Sequence, residues 1–428
     1  MSSQTKVSTV EPSRGKLAVL LPGLGSVGTT VIAGTLAIRN GIAQPTGSLT
    51  QMGRLEHDDE RSNAPLVRDA LPLADLEDLA FGGWDVTGQN CFEAARGADV
   101  LEERHLEPIR EELEAIEPME AVFDPDYVPN IDPEHVKQVD SKMEAAERVI
   151  ADIHEFTEAH GCDRAVSIWC ASTEVHRPLG EVHQNLETFE HGLKNNAETI
   201  SPTMIYAYAH LRAGVPFLVG APNHTTDCPA LIELAERNDV PLAGKDFKTG
   251  QTLMKTALAP ALAARNLGLD GWYSTNILGN RDGHVLDDPG CFKSKEMSKL
   301  SVLEAILEPD RNPALYGDID HQVRIDYYRP RGDNKEGWDN IDLTGWLEYP
   351  MQIKVDFLCR DSILAAPLVL DLALFGDLVN RSDIGGLQEW LSFYFKDPDV
   401  PAGQRPVHDL FEQRQMLGEQ LLRFRDAS

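Results

Sequence analysis

The sequence predicts an α/β protein with two domains of different architecture, and three observations favour this class. The chain has 428 residues, enough to bury two hydrophobic cores. As far as Thr252, short apolar runs alternate with helical segments, which is the pattern of β-α-β units. Beyond Thr252 the expected strands alternate apolar and polar residues, as strands do in a sheet that is covered on one face. The second domain is therefore expected to be of the α+β type.

The elements of the first domain follow from apolar runs that are bounded by turn residues. Buried strands are predicted at residues 17–21, 165–171, 216–220 and 240–243. Helices are predicted at 205–211 and 230–236, with Asp227 as the N-cap of the second. Two charged segments with apolar residues at helical spacing, 106–116 and 136–153, are expected to form helices that cover one face of the sheet.

The remaining elements come from the two ends of the chain and from the region beyond Thr252. Strands of the second sheet are predicted at 272–276, 323–328 and 353–358. Helices are predicted at 362–375, 387–395 and 411–424, and they are expected to return to the first domain. Residues 1–15 are polar and are expected to be disordered.

Composition narrows the class of protein. The formal net charge of −30 argues against nucleic acid or an anionic membrane surface as a partner. Six cysteines show no C-x-x-C pair and no zinc-ligand spacing with histidine, so buried free thiols are expected. There is no apolar signal region and no apolar run near the ~20 residues of a membrane span. These features predict a cytoplasmic enzyme.

A glycine-rich turn follows the first predicted strand and opens into a helix. It consists of Gly23, Leu24, Gly25, Ser26, Val27 and Gly28. In the dinucleotide-binding fingerprint the first glycine allows the tight turn, the second lets the backbone approach the pyrophosphate, and the third lets the helix pack closely. The position after the first strand favours a Rossmann-like domain that binds a nicotinamide dinucleotide over a plain glycine turn.

The usual ribose-binding carboxylate is missing from its expected place. Residues 31–55 contain no Asp or Glu, although the fingerprint normally has one about 20 residues after the turn. NADP-binding domains hold the 2′-phosphate with an arginine near this turn. Here the only arginines that follow the turn are Arg39 and Arg54, and neither stands directly after it, so NAD is predicted in preference to NADP. Another residue must therefore hold the ribose.

Two further segments could contact the cofactor. Residues 81–85 contain two glycines that let backbone approach a ligand, and end in the carboxylate of Asp85; a surface turn is the alternative. Ser172 and Thr173 follow the strand at 165–171, at the carboxyl edge where open α/β sheets bind ligands; a helix cap is the alternative.

Basic and polar residues gather in three groups, at 244–252, 276–283 and 294–299. In such an acidic chain, lysines beside Gly, Ser, Thr and Asn predict a pocket for a phosphorylated metabolite. Lys295 and Lys299 would share one face of a helix, where like charges cost a few tenths of a kcal/mol unless an anion lies between them. A solvated lysine face is the alternative for this pair.

With these groups in order, the chain resembles the myo-inositol-1-phosphate synthase family. The three groups match the family's motifs in register, and residues 332–335, 360–367 and 391–398 look like its remaining active-site segments. The chain departs from the family at Lys245, which replaces an acidic residue, and at Thr249, Ile277 and Arg281, which replace serine, histidine and asparagine. The glycine turn also differs, at Leu24, Ser26 and Val27.

The resemblance implies an NAD-dependent isomerisation of glucose 6-phosphate to 1D-myo-inositol 3-phosphate, the first step of inositol biosynthesis. The sugar would be oxidised at C5, enolised, cyclised in an intramolecular aldol step and reduced, so that the cofactor ends as it began. The resemblance also implies a homotetramer and leaves open an activating monovalent or divalent cation. A simple NAD-dependent dehydrogenase of a phosphorylated metabolite and a non-catalytic dinucleotide-sensing protein are the alternatives.

By position, the resemblance assigns roles to individual residues. The catalytic set is Lys295, Lys299, Lys335, Lys396, Asp246 and Asp282. The NAD-binding set is the glycine turn from Gly23 to Gly28 together with Asp85, Ser172, Thr173, Asp246 and Asp361. The substrate-binding set is Thr249, Gly250, Gln251, Asn280, Lys295 and Lys299. The implied domains are a Rossmann-like NAD-binding domain at 16–252, completed by 361–428, and a catalytic and oligomerisation domain at 253–360.

Overall fold

A computed structural model describes residues 9–55, 64–280, 302–382, 384–401 and 403–428. Its strands are β1 (Lys16–Pro22), β2 (Leu79–Asp85), β3 (Met119–Glu120), β4 (Cys162–Trp169), β5 (Phe217–Val219), β6 (Pro241–Gly244), β7 (Gly268–Leu278), β8 (Asp320–Tyr327), β9 (Asn334–Thr344), β10 (Pro350–Arg360) and β11 (Gly386–Leu387).

The helices lie between these strands and at the C-terminus. They are α1 (Ser26–Arg39), α2 (Leu49–Met52), α3 (Val67–Ala70), α4 (Cys91–Ala98), α5 (Glu103–Leu106), α6 (Arg110–Glu114), α7 (Lys142–His160), α8 (Leu186–Lys194), α9 (Pro202–Arg212), α10 (Pro229–Arg237), α11 (Gly250–Ala264), α12 (Pro313–Tyr316), α13 (Asp361–Asn380) and α14 (Leu410–Asp426). Residues 302–307 are also helical. Short 3-10 helices lie at Leu76–Asp78, Glu107–Ile109, Glu181–His183, Arg329–Arg331, Trp346–Glu348 and Glu389–Tyr394.

The larger sheet has the strand order β11-β6-β5-β4-β1-β2-β3, and all its pairs are parallel. The chain runs outward from β1 through β2 to β3 and then returns to β4 on the other side of β1. In open parallel sheets such a reversal opens a crevice at the carboxyl ends of the strands, where ligands bind. This Rossmann-like sheet and the second, mixed sheet confirm the predicted fold class.

Side chains of β1 alternate between two hydrophobic cores, one on each face of the sheet. Leu17, Val19 and Leu21 pack on the face that α1 and α13 cover. Ala18 and Leu20 pack on the face that α7 and α9 cover. A strand buried on both faces reads as a continuous apolar run, and this is why the sequence reveals β1.

The second sheet has the order β10-β9-β7-β8, with β7 parallel to β8 and antiparallel to β9. Its covered face packs Trp272, Ile341 and Leu343 against Ala259 and Leu262 of α11. Strand β10 lies at the edge and is largely exposed. The covered face of this sheet therefore packs on α11, the helix that follows β6.

Helix α13 crosses the core of the larger domain. It is long and apolar enough to span a membrane by length and composition, contrary to the expectation that no such run exists, but 72% of its most apolar window is buried inside the protein. Its carboxylates are also paired, since Asp377 accepts hydrogen bonds from Arg164 and Arg381. These are features of a core helix.

Four local predictions differ from the structure. The segment 106–116 is broken into α5, a 3-10 turn and α6, because Pro108 cannot continue a helix, and α7 begins only at Lys142, after the N-cap Ser141. Residues 387–395 form part of β11 and a 3-10 helix. Asp227 is not an N-cap, because α10 begins after Cys228 without a side-chain cap.

The described part of the N-terminal segment is held in place, although disorder was expected. The amide of Val10 donates to the carbonyl of Ala427, and the amide of Glu11 donates to that of Arg381. Arg164 also donates to the hydroxyl of Ser13, at 2.9 Å. Residues 1–8 lie outside the described residues.

Candidate active site

A cavity of about 600 Å³ opens at the carboxyl ends of the parallel strands and extends toward the loops of the second sheet. The segments that follow β1, β2, β4, β5 and β6 line one side, and residues 279–280, 332–333 and 361–362 line the other. Predicted site residues in its wall are Gly23, Leu24, Gly25, Ser26, Val27, Asp85, Ser172, Thr173, Asp246, Thr249, Asn280, Asp361 and Lys396. Lys295, Lys299 and Asp282 lie outside the described residues.

The three glycines of the turn have different environments. Gly23 has a φ of +97°, and a Cβ there would collide with the backbone of Ala171. A Cβ on Gly28 would collide with the carbonyl of Gly23, so this glycine lets α1 pack against the turn. A Cβ on Gly25 would meet nothing within 4 Å, because Gly25 faces the cavity. This is the arrangement that a backbone approach to a pyrophosphate requires.

Residues 81–85 are not a surface turn; they form the end of β2. Gly83 is needed because a side chain would collide with the carbonyl of Leu21 on the neighbouring strand, and Gly82 because one would collide with the ring of Phe156. Asp85 thus lies at the carboxyl end of the second strand, where Rossmann-like domains carry the ribose-binding acid. The long connection of residues 40–78 separates it from the glycine turn, and this explains why the usual spacing fails.

The two arginines that could have met an NADP phosphate are engaged elsewhere. Arg39 donates to the carbonyl of Leu79, at the amino end of β2, and Arg54 donates to the carbonyl of Ala64. Asp85 accepts from the amide and hydroxyl of Thr87, each at 3.1 Å. The end of β2 therefore presents a negative charge to the cavity.

The segment after β4 is fixed by a buried amide. Asn223 donates to the carbonyl of Ser172 and accepts from the amide of Glu174, at 3.2 and 2.9 Å. The Glu174 carboxylate accepts from the amide of Thr203 in the first turn of α9, and burial raises the pKa of Glu174. Ser172, Thr173 and Glu174 all line the cavity, and Glu174 also accepts a hydrogen bond at the start of α9, close to the helix-cap role that was the alternative for this segment.

Two ion pairs meet at the centre of the site. The Lys396 Nζ lies 3.4 Å from the Asp246 Oδ1, and both side chains are nearly fully buried. The Lys335 Nζ lies 3.1 Å from the Asp361 Oδ2. Burial alone would raise the pKa of Asp361, but the charges of Lys335 and Lys396 hold it well below its usual range. We call these four residues the lysine–aspartate cluster.

The start of α11 faces the same region. Its N-cap, Thr249, makes no side-chain cap hydrogen bond, and its first turn contains no acidic residue. The free N–H groups and the positive end of the helix dipole favour an anion here. Gly250 lies beside Lys335 and Asp361. Two members of the substrate-binding set, Thr249 and Gly250, thus lie next to the lysine–aspartate cluster.

Gln251 uses its side chain within the second sheet. Its Nε2 donates to the carbonyls of Thr275 and Trp338 and to Asp339, at 3.0 to 3.2 Å, and its Oε1 accepts from Asn276. It is absent from the cavity wall. A contact with a phosphate would have to come from its backbone amide.

Asp333 was not singled out from the sequence. It is 3% exposed, lines the cavity, and accepts from Asn280 at 2.8 Å and from the hydroxyl of Ser362 at 3.2 Å. Burial raises the pKa of Asp333. Its position two residues before Lys335 was the available signal. Asp333 orients the amide of Asn280.

The departures from the family's motifs fall in different places. Thr249 lines the cavity and keeps a hydroxyl there. Lys245 lies behind the wall in an ion-pair cluster, and Ile277 lies on β7 outside the wall. Arg281 lies outside the described residues. Within the described part of the chain, no group of three or more His, Cys, Asp or Glu side chains could hold a metal ion.

Lys248 lies within the first lysine group but is buried away from the cavity. Its Nζ donates to the side chain of Gln413 on α14 and, at 3.4 Å, to the carbonyl of Ser392. Burial lowers the pKa of Lys248 to about 7, against a smaller opposing effect of Asp409. The free-lysine value is about 10.4.

Lys248→Met is therefore expected to flatten the pH dependence of stability. Between about pH 7 and 10 the unfolded chain binds more protons at this lysine than the folded chain, so stability should rise with pH, by up to about 1.4 kcal/mol per unit. The methionine variant lacks this contribution. Urea unfolding at pH 7, 8 and 9 checks it, with Lys194→Met, at the exposed end of α8, as the control. If the free energy of unfolding changes with pH equally in wild type and in Lys248→Met, the lowered pKa of Lys248 is contradicted.

Comparison with known proteins gives one consistent family. Residues 17–423 match an NAD-binding family model described as myo-inositol-1-phosphate synthase. The chain is 51% identical over 416 residues to inositol-3-phosphate synthase 1 of Bacteroides thetaiotaomicron, covering 96% of each chain. It is 31% identical to inositol-3-phosphate synthase of Saccharomyces cerevisiae, covering 94% of this chain and 84% of the yeast protein.

Comparison with solved structures agrees with the family that the sequence comparisons indicate. The crystal structure of inositol-3-phosphate synthase from Caenorhabditis elegans superposes with a TM-score of 0.90 at 29% identity, covering 97% of this chain and 87% of that one. A myo-inositol-1-phosphate synthase-related protein from Thermotoga maritima has a TM-score of 0.75 at 22% identity, covering 95% and 99%, and supports the fold alone. Since the family model spans nearly the whole chain, the protein belongs to the myo-inositol-1-phosphate synthase family.

Proposed function

We propose that the protein converts glucose 6-phosphate to 1D-myo-inositol 3-phosphate with NAD as cofactor. The observation that carries the proposal is one cavity that joins a dinucleotide-type glycine turn to the buried lysine–aspartate cluster and the start of α11. A relative 51% identical over 96% of the chain is named inositol-3-phosphate synthase, which supports this activity.

The residues present fit NAD. The open space at Gly25 and the N-terminus of α1 suit the pyrophosphate, and Asp85 suits a ribose hydroxyl. Ser172, Thr173, Asp246 and Asp361 line the continuation of the cavity and would hold the nicotinamide end. When bound, NAD supplies the reversible oxidation and reduction of the sugar.

The lysines would stabilise negative charge on sugar oxygens. Enolisation and aldol ring closure both place charge on an oxygen, and ammonium groups fixed in a buried site stabilise such charge without reorganising. Asp246 fixes the ammonium of Lys396 and Asp361 fixes that of Lys335. A lysine so held can also donate a proton to an oxyanion and take it back. The motif lysines Lys295 and Lys299 are proposed to act with them.

The phosphate of the substrate is proposed to bind at the start of α11. The hydroxyl of Thr249 and the amides of Gly250 and Gln251 would donate to it, with Asn280 at the cavity wall. Asp333 holds the Asn280 amide in one orientation, with its Nδ2 toward the carboxylate. A phosphate bound there would lie beside Lys335, whose charge would compensate that of the anion.

The test is the stoichiometry of turnover. The protein is incubated with glucose 6-phosphate and an amount of NAD far below that of the sugar, while inositol phosphate and NADH are both followed. Inositol phosphate should exceed the NAD supplied, with no net NADH. NADH formed in proportion to product would indicate a simple dehydrogenase, and the absence of turnover would indicate a dinucleotide sensor. Repeating the assay after chelation tests the need for a cation.

We also propose that the protein forms homotetramers in the cytoplasm. The turn between β9 and β10 exposes large apolar side chains, with Trp346, Leu347 and Tyr349 each at least 69% exposed, and β10 is an edge strand. Exposed apolar patches beside an open edge favour association with another chain. A monomeric mass by light scattering at micromolar concentration would contradict this.

Asp85→Ser is expected to weaken NAD binding by about tenfold, the effect of losing one hydrogen bond to a charged group. It should also raise the affinity for NADP relative to NAD, because the carboxylate would no longer repel a 2′-phosphate. Titration with both cofactors measures this. Asp78→Asn removes the same charge from the exposed opposite end of β2 and should change neither affinity. An unchanged NADP to NAD ratio in Asp85→Ser would place the ribose elsewhere.

A further inference from the structure

Behind the cavity wall, the buried ammonium of Lys245 is the centre of a cluster of three partly buried aspartates. Its Nζ lies 2.9 Å from Asp227, 3.2 Å from Asp399 and 3.6 Å from Asp397, and its side chain is 8% exposed. Asp227 also accepts from His224 at 2.6 Å, and Asp399 accepts from the hydroxyl of Thr226. One ammonium therefore joins the loop before α10 to the segment before α14.

The same two regions carry the catalytic candidates. Residues 244–248 run against residues 394–399 through a backbone ladder, in which Lys245 and Asp397 exchange hydrogen bonds at 2.9 and 3.2 Å. The next step of the ladder is the amide of Lys396, which donates to the carbonyl of Asp246 at 2.6 Å. The buried ion pair of Lys396 and Asp246 thus depends on the register of this ladder.

Charge balance makes Lys245 necessary there. Burial and the charges of Asp227 and Asp397 raise the pKa of Asp399 to about 6, although Lys245 opposes them. Burial would raise the pKa of Asp227 too, but Lys245 and His224 hold it well below its usual range. Without the ammonium, three partly buried carboxylates, 18–33% exposed, would face one another, and such uncompensated charge is unfavourable.

We propose that Lys245 is a positioning residue, whose ammonium holds the segment of residues 394–399 against residues 244–248 and so sets the ion pair of Lys396 and Asp246 at the cavity. Lys245 is one of the positions at which the chain departs from the family's motif. Lys245 itself does not line the cavity. The inference rests on the proposed function, because its effect is read from turnover.

The test compares Lys245→Met and Lys245→Arg with Lys194→Met, which removes one exposed lysine at the end of α8. At pH 8, Lys245→Met should lower kcat by about tenfold or more, with a smaller change in KM, while Lys245→Arg keeps at least about a third of kcat because it keeps the charge. Equal losses in the two Lys245 variants would mean that only the shape of lysine matters, and would overturn the proposal.

The pH profile separates positioning by charge from general damage. Lowering the pH from 8 to 6 protonates one carboxylate of the cluster, so the deficit of Lys245→Met relative to wild type should shrink. The titratable and charged groups that face the cluster are Asp227, His224 and its neighbour His176 on one side, Asp397, Asp399 and His408 on the other, and Asp246 with Lys396 toward the cavity. A deficit that is constant with pH would overturn the proposal.

A second substitution also tests whether unpaired negative charge causes the loss of activity in Lys245→Met. Asp399→Asn added to Lys245→Met removes one of the unpaired carboxylates, and it should restore kcat at least about threefold at pH 8 and remove the pH dependence of the deficit. A double variant no more active than Lys245→Met would overturn the inference. If wild type itself does not turn over glucose 6-phosphate, the proposed function fails instead.

Discussion

Lys396→Met is expected to lower turnover of glucose 6-phosphate by about 10²-fold or more, the usual effect of losing one preorganised group that stabilises an oxyanion. Lys396 lies in the cavity wall, is 4% exposed and has its ammonium fixed by Asp246. Methionine keeps the length and apolar stem of the side chain and removes only the charge. The loss should appear in kcat, since the phosphate is expected to bind at the start of α11.

The variant also removes the ammonium that pairs with the buried carboxylate of Asp246, and removing one partner of a buried ion pair destabilises a protein by about 3–5 kcal/mol. The control is therefore the double variant Lys396→Met with Asp246→Asn, which removes both charges. It should recover most of the lost melting temperature but none of the turnover. Recovery of turnover in the double variant would show that Lys396 acts only through stability, and near-normal turnover in Lys396→Met would remove it from the mechanism.

Hydrophobic pattern made part of the fold predictable. The runs that became β1, β4, β5 and β6 are apolar because parallel strands are buried on both faces. The glycine turn could be interpreted because its context, strand then helix, is local. Strand β2 was missed because its glycines, which allow close packing against Leu21 and Phe156, look like turn residues in the sequence.

Strand β9 was missed for a different reason. Its residues alternate between buried and exposed positions, but the buried ones include Lys335 and Asp339 as well as Ile341 and Leu343. Polarity therefore does not follow burial along the strand. The polar residues of its covered face have other roles: Lys335 is part of the site, and Asp339 accepts a hydrogen bond from the amide of Gln251. Because of these roles, the hydropathy of the sequence does not show the alternation that would indicate a strand.

The sequence predicted which residues form the site better than it predicted how they are arranged. The resemblance to a family supplied Asp246, Lys396, Lys335 and Asp361, but no spacing indicates which lysine pairs with which carboxylate, since the partners are far apart in the chain. Nor does the sequence distinguish an amide that faces the cavity from one that holds a sheet, as in Gln251. Such distinctions arise from tertiary packing.

The glycine turn gives the second large effect. Gly25→Val is expected to lower NAD affinity by at least about 100-fold and to abolish turnover, because its side chain would enter the space proposed for the pyrophosphate. The protein should still fold, because a Cβ at Gly25 meets no neighbour within 4 Å, although the backbone angles of Gly25 (φ −83°, ψ −148°) are less favourable for valine than for glycine. The neighbouring glycine Gly23 offers no such test, since a side chain there would collide with Ala171.

Gly34→Val is the control, because Gly34 lies within α1, the helix for which Gly25 is the N-cap, also has open space at its Cβ and does not line the cavity. It measures the cost of an added β-branched side chain in this region of the chain that does not enter the cavity. Calorimetric titration with NAD and thermal unfolding of the two variants separate the effects. If the two variants have equal melting temperatures and only Gly25→Val loses NAD binding, the cofactor binds at this turn. If Gly25→Val keeps wild-type NAD affinity, the pyrophosphate lies elsewhere in the cavity.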